Sequence, residues 1–119
     1  MKLLFLFLDG VGLGADDPQI NPFARAEMPN LIQLLGGRRM VVLNGDKSIE
    51  AARATLVPID ACLGIPGLPQ SASGQATLLT GKNIPQQIGE HYGPKPNPAI
   101  RAILEESNLF HRIVQHGRT

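Results

Sequence analysis

The stretch that most limits the fold is the N-terminal run Leu3-Leu4-Phe5-Leu6-Phe7-Leu8, apolar throughout, without alternation, and closed by Asp9-Gly10. A segment of that length and evenness suits a strand buried on both faces, as in a parallel sheet covered by helices. It is far too short to span a bilayer. Asp9 also stands where an export cleavage site would need small residues. The expectation is therefore a central strand with Asp9 at its carboxyl end, the edge where open α/β sheets place their chemistry.

Behind that strand the sequence alternates between loops and short amphipathic segments. Gly10 to Glu27, with its glycines and prolines, reads as a long loop of the kind that often carries function. Pro29 suits the first turn of a helix carrying Leu31, Ile32, Leu34 and Leu35, stopped by Gly36-Gly37. Arg39 to Leu43 reads as a strand and Asn44-Gly45 as a hairpin turn. Lys47 to Ala54 is weakly helical. Thr55 to Ala61 reads as a second core strand that Pro58 moves toward an edge. After a turn rich in Gly and Pro, Ser71 to Thr80 reads as a helix with Gly81 as its stop. Lys82 to Asn97 reads as another long loop. Asn97-Pro98 then caps a helix with Ile100, Ile103 and Leu104 on one face. At Ser107-Asn108 two readings stand: a break that caps a second helix ending at Gly117, or one continuous helix.

Two or three strands are visible, whereas an open parallel sheet uses about five or more. Residues 1–119 therefore read as the N-terminal part of a single, larger α/β domain. An uncovered sheet edge would favour self-association. The formal net charge of +1, the lack of a Lys/Arg run, and an aromatic complement of one Tyr, four Phe and no Trp argue against a nucleic-acid partner. No segment suits a membrane partner. A single cysteine, Cys62, cannot form an internal disulfide and fits a reduced thiol in a cytoplasmic protein.

Several motifs compete for the chemistry. Gly10-Val11-Gly12-Leu13-Gly14-Ala15 matches the spacing of a dinucleotide-binding turn, but that turn needs a helix to open at once near Gly14, and Asp16-Asp17-Pro18 follows instead. Ala76 to Asn83 is a near miss to a phosphate-binding loop and follows a helix rather than a strand, which removes the cradle. His111 and His116 lie about 140° apart on a helix and do not form a metal pair. His91 sits in a loop and could reach a site. Asp60 reads first as a turn or cap residue, and Asp16 and Asp17 as solvated charges.

Ser71 and Ser73 stand at or near a helix N-terminus, where unpaired amides and the positive dipole end favour an anion. A serine at position 71 ordinarily caps its helix, and that reading stands beside the chemical one. A carboxylate at Asp9 and a hydroxyl at Ser71 could share a divalent cation that activates the serine and offsets charge on a phosphoryl oxygen. Two such groups alone are too few for a complete metal site.

Met1 to Gly12 (MKLLFLFLDGVG), Asn21-Pro22-Phe23 with Met28-Pro29-Asn30-Leu31, and Ala61 to Gly81 (ACLGIPGLPQSASGQATLLTG) together resemble the N-terminal part of the alkaline phosphatase superfamily. The branch is that of cofactor-independent phosphoglycerate mutase and phosphopentomutase. The resemblance implies a three-layer α/β/α sandwich with a mostly parallel sheet, incomplete over these residues. It implies a metal-dependent phosphoryl transferase or hydrolase acting on a small phosphorylated substrate. Asp9 matches a metal ligand, and Ser71 matches the nucleophile and a second metal ligand. Two divalent ions, Mn, Zn or Mg, are implied for the complete enzyme, with further Asp and His ligands supplied from a C-terminal half. Ser71 and Gly74 keep the Ser-x-x-Gly spacing of the mutase branch. That branch has His after the glycine where this chain has Gln75, which leaves hydrolase and mutase chemistry both open. Residues 1–119 alone are expected to be inactive for want of ligands. The alternative is a non-catalytic α/β binding module or truncated remnant, with a dinucleotide-binding half-domain behind it.

Overall fold

Asparagine side chains start four of the six helices found among the described residues. In each case the side-chain oxygen accepts from an amide of the first turn, and proline commonly follows, where its missing N–H costs nothing. The structure, a computed structural model, describes residues 4–42 and 48–118. It divides into two compact units, Met1–Ile59 and Asp60–Thr119.

In the first unit, helix α1 (Pro22–Arg25) is one turn capped by Asn21. Asn21 is buried; its Oδ1 accepts from Phe23 N at 3.0 Å and its Nδ2 donates to Ala15 O at 2.7 Å. Helix α2 (Pro29–Leu34) follows. Gly36 and Gly37 stop it with φ of 67° and 87°, and Gly37 N donates back to Ile32 O at 2.8 Å. Arg39 fixes the following segment: its guanidinium donates to Ala24 O at 2.8 Å and pairs with Asp16 at 2.8 Å. Strand β1 (Ile49–Glu50) pairs antiparallel with β2 (Thr55–Leu56), Ile49 opposite Leu56.

These observations correct the expected architecture. The protein is mostly helical, and among the described residues the two-residue pair β1–β2 is the whole sheet. It is not a three-layer α/β/α sandwich built on a mostly parallel sheet. Leu4 to Leu8 joins no strand ladder, and Leu4 is 90% and Leu8 59% exposed. An even apolar run shows that a segment tolerates burial on both faces. It becomes a central strand only where neighbouring strands supply backbone partners, and the other expected strands do not. Residues 39–42 form no strand, Leu43 and Asn44-Gly45 lie outside the described residues, and Thr55 to Ala61 shortens to Thr55–Leu56. Pro58, without an N–H, cannot extend that ladder. The weak helix expected over Lys47 to Ala54 is in part β1, with Lys47 outside the described residues.

The second unit follows its sequence closely. Helix α3 (Ser71–Thr80) ends on Gly81 at φ 70°. Helix α4 (Ile84–Ile88), capped by Asn83 and closed by Gly89, falls where only loop was expected; the Asn-x-Pro start and the glycine stop were its legible signals. Helices α5 (Pro98–Glu106) and α6 (Leu109–Gln115) are separate. Asn108 decides the break: its Oδ1 accepts from His111 N at 3.1 Å and its Nδ2 donates to Leu104 O at 2.9 Å, closing one helix and opening the next. Ala72 and Ala76, one turn apart on α3, meet Ile84 and Ile100 in the core, with Ile88, Tyr92, Ile103 and Leu104 around them. The small side chains let α4 and α5 pack close to the α3 backbone. At the rim Lys82 Nζ pairs with Glu106 Oε2 at 2.6 Å and holds the Glu106 carboxyl below its ordinary value.

Asn97→Ala removes the bond from Ile100 N to Asn97 Oδ1 (2.9 Å) at the start of the helix that delivers buried Ile100. Denaturant unfolding should show a loss of about 1 kcal/mol; an unchanged midpoint would mean that the cap contributes nothing.

Candidate functional site

Residues of two loops meet at the front of α3. The segment leading into the helix contributes Pro66, Gly67, Leu68 and Gln70, and Glu90 to Gly93 come from the loop after α4; between them lies an open cleft of ≈ 390 Å³. Turn chemistry shapes the first segment. Asp60 accepts from Cys62 N at 2.8 Å and from Gly64 N at 3.4 Å, the turn role that its position suggested. Gly67 has φ 115°, a conformation open only to glycine.

Ser73 joins the two loops. It is completely buried. Its amide donates to Tyr92 O at 3.0 Å, its hydroxyl accepts from Tyr92 N at 3.0 Å, and the same hydroxyl donates to Gln70 O at 3.3 Å. A buried hydroxyl with its proton and a lone pair both engaged is a structural bolt, which takes Ser73 out of consideration as a nucleophile. Next to it, Gly93 lies so close to the helix start that a Cβ there would come within 3.2 Å of Ser71 N and of Gln70 Cβ. A larger residue would need the loop or the helix start to give by a few tenths of an ångström.

Ser71 occupies a different position from the cap expected of such a serine. The N-cap is Gln70, whose side chain makes no capping bond, and Ser71 is the first helical residue. It is half-buried. No acidic side chain sits in the first turn to offset the positive dipole end of this ten-residue helix. Gly74 lies one turn further on, in ordinary helical conformation, with nothing among the described residues within 4 Å of where its Cβ would be. Helical side chains lean toward the N-terminus, so a side chain at position 74 would cover Ser71. Glycine in a helix interior costs about 1 kcal/mol relative to alanine, and no packing contact requires it here.

Asp9 belongs to the first unit. It is exposed and turns the chain together with Gly10, which has φ 69°. Ser71 belongs to the second unit. The helix that a dinucleotide turn would need at Gly14 is not formed; Gly14 instead lies against Asn21, whose Nδ2 would be 3.0 Å from a Cβ at that position. Asp16 is ion-paired with Arg39 and Asp17 accepts from Gln19 N, so both close the loop rather than form a site. His111 and His116 are exposed at α6. His91 lines the cleft, as its loop position allowed. Sequence reasoning passed over Gln70, Tyr92 and Gly93 as site residues, because their roles come from backbone contacts across 19 or more positions that no local pattern encodes.

Comparisons with family models, curated proteins and solved structures gave no match to this chain.

Two substitutions separate structure from function in α3. Ser73→Ala leaves Tyr92 N without its partner and should cost about 1–3 kcal/mol in urea unfolding. Gly74→Ala should do the opposite and stabilise the protein by up to about 1 kcal/mol. A destabilised Gly74→Ala would show that the glycine serves packing rather than access.

Proposed function

We propose that this chain carries the nucleophile of a metal-dependent phosphoryl-transfer enzyme, with Ser71 Oγ accepting the phosphoryl group of a small phosphomonoester and Asp9 serving as a metal ligand. The observation that carries the reading is the place of Ser71 at the front of α3 beside Gly74. A serine stands at the first position of α3, outside the capping role, and the residue one turn on is a glycine over open space. The second hydroxyl of the segment is locked away in a structural bond. The resemblance of Ala61 to Gly81 to the phosphomutase branch agrees with that assignment.

In this reading the front amides of α3 and its dipole receive the non-bridging phosphoryl oxygens, whose charge grows during transfer. Ser71 Oγ attacks in line: the Oγ–P bond forms, the bond from phosphorus to the leaving oxygen breaks, and the hydroxyl proton passes to solvent. Water or a second hydroxyl then takes the phosphoryl group from the serine, which gives hydrolysis or mutase chemistry respectively. Gly74 keeps the approach to phosphorus clear.

Metal ions need separate treatment. A carboxylate and a serine oxygen suit hard divalent cations such as Mn or Mg, and Zn accepts them with histidine. Among the described residues, however, no group of three or more His, Cys, Asp or Glu side chains comes together. The two ions implied by the resemblance do not find a full ligand set in these residues.

The test uses the protein as its own cells make it, incubated with phenyl phosphate and Mn or Zn, and maps phosphoserine by tandem mass spectrometry. Phosphate on Ser71, absent from Ser71→Ala and still carried by Ser71 in folded Ser73→Ala, is the expected result. A protein that binds inorganic phosphate at the Ser71 and Ala72 amides yet is never phosphorylated is a binding module, and the catalytic reading falls. Residues 1–119 alone should show negligible turnover; Ser71-dependent turnover by that segment would overturn the ligand-count argument.

A further inference from the structure

We infer that His91 contacts the substrate in the cleft at the front of α3, with its Nδ1 accepting a hydrogen bond from a hydroxyl on the body of the phosphomonoester. The inference rests on the reading of Ser71 as phosphoryl acceptor and extends it to the part of the substrate that is not transferred.

The tautomer of His91 follows from its partner. His91 Nε2 lies 3.2 Å from Ile65 O. A carbonyl oxygen can only accept, so Nε2 carries the hydrogen. In the neutral ring the bare, accepting nitrogen is then Nδ1. The bond to Ile65 is the one hydrogen bond of this ring found among the described residues. The ring's orientation follows from a second contact. Cδ2 would be 3.5 Å from a Cβ on Gly67, so the Nε2–Cδ2 edge lies against the 65–67 loop. Nδ1 is on the opposite side of the ring. The glycine allows that approach, and its φ of 115° fixes the loop against which the ring rests. A half-buried imidazole pinned along one edge presents a pre-oriented acceptor.

The cleft that His91 lines adjoins the front of α3. Its walls include Gln70, the N-cap of α3, and Gly93, which sits against Ser71 N. A ligand whose phosphate meets the front of α3 would therefore extend its carbon skeleton along the loop that carries His91. An acceptor nitrogen there selects a hydroxyl and gives nothing to an aromatic ring. Glu90 lines the same cleft and, as a carboxylate, also accepts from hydroxyls and repels a second anionic group.

The experiment compares two probes that differ in that respect, glycerol 2-phosphate with free hydroxyls and phenyl phosphate without them. Binding is followed through the amides of Ser71 and Ala72 and the ring nitrogens of His91 by NMR. His91→Gln can keep the bond to Ile65 O through its amide nitrogen while removing the Nδ1 acceptor; His91→Asn does the reverse. The expected result is that His91→Gln unfolds at the wild-type midpoint, binds glycerol 2-phosphate about two- to tenfold more weakly, the worth of one neutral hydrogen bond, and binds phenyl phosphate as before. Should His91→Gln fail to fold, the wild-type ring decides. Its Nδ1 resonance must move with glycerol 2-phosphate and not with phenyl phosphate.

Equal weakening for both probes, or none for either, overturns the hydroxyl contact and leaves His91 a structural residue. Phenyl phosphate moving the Ser71 and Ala72 amides while His91 stays silent toward both probes removes this inference and leaves the phosphoryl reading standing. Glycerol 2-phosphate moving only His91 removes the phosphoryl reading and keeps the hydroxyl contact. Silence at every position overturns both.

Discussion

The second unit depends on the pairing of Ser73 with Tyr92. Two hydrogen bonds of 3.0 Å run between these residues in opposite directions, one from the Ser73 amide and one into its hydroxyl. Ser73 is inaccessible to water and the Tyr92 side chain packs onto the Ala72–Ala76–Ile84–Ile100 core. Hydrogen bonds in such surroundings are costly to break, because a separated donor or acceptor finds no water to replace its partner. The pairing therefore fixes the height of the 90–93 loop above the first turn of α3. The close approach of Gly93 to Ser71, the wall of the cleft and the position of His91 all follow from it.

The first turn of α3 places its two serines differently. Ser73 faces inward and holds the loop; Ser71, two residues earlier, lies about 200° around the helix and is half-buried. Gly74, one turn after Ser71, lowers helix propensity without a packing contact that requires it. Gly93 differs, since a Cβ there would crowd Gln70 and Ser71 at 3.2 Å. One glycine admits a loop, the other leaves room outside.

How much of this was legible varied with the range of the interaction. Helix α3 with its Gly81 stop, helix α5 with its Asn97-Pro98 start, and the α2 segment ended by Gly36-Gly37 could all be read from caps and stops, because those signals act within four or five residues. Helix α4 used the same signals and was hidden by the polar residues around it. The α1 turn was likewise lost inside a loop rich in glycine. The largest misreading concerned Leu4 to Leu8. Hydrophobicity alone suits a buried central strand, but a strand exists only as part of a ladder, and a ladder is made by segments distant in sequence. In the site, the serines and His91 stood out by type and position. Gln70, Tyr92 and Gly93 did not, since nothing local distinguishes a glycine that touches a helix start from one that merely turns a loop.

By itself, then, the sequence determined where helices begin and end and which side chains could do chemistry. Caps, prolines and glycines act on the nearest turn, and a hydroxyl or imidazole has its reactivity wherever it sits. Tertiary structure alone decided that the apolar N-terminal run would not become a central strand. It alone decided that Ser73 is a structural bolt and that the Nε2 edge of His91 meets the Ile65 carbonyl. Each of those outcomes turns on a partner contributed from elsewhere in the chain, whether a neighbouring strand, the Tyr92 backbone or the Ile65 carbonyl, and such partners are chosen by packing rather than by sequence neighbours.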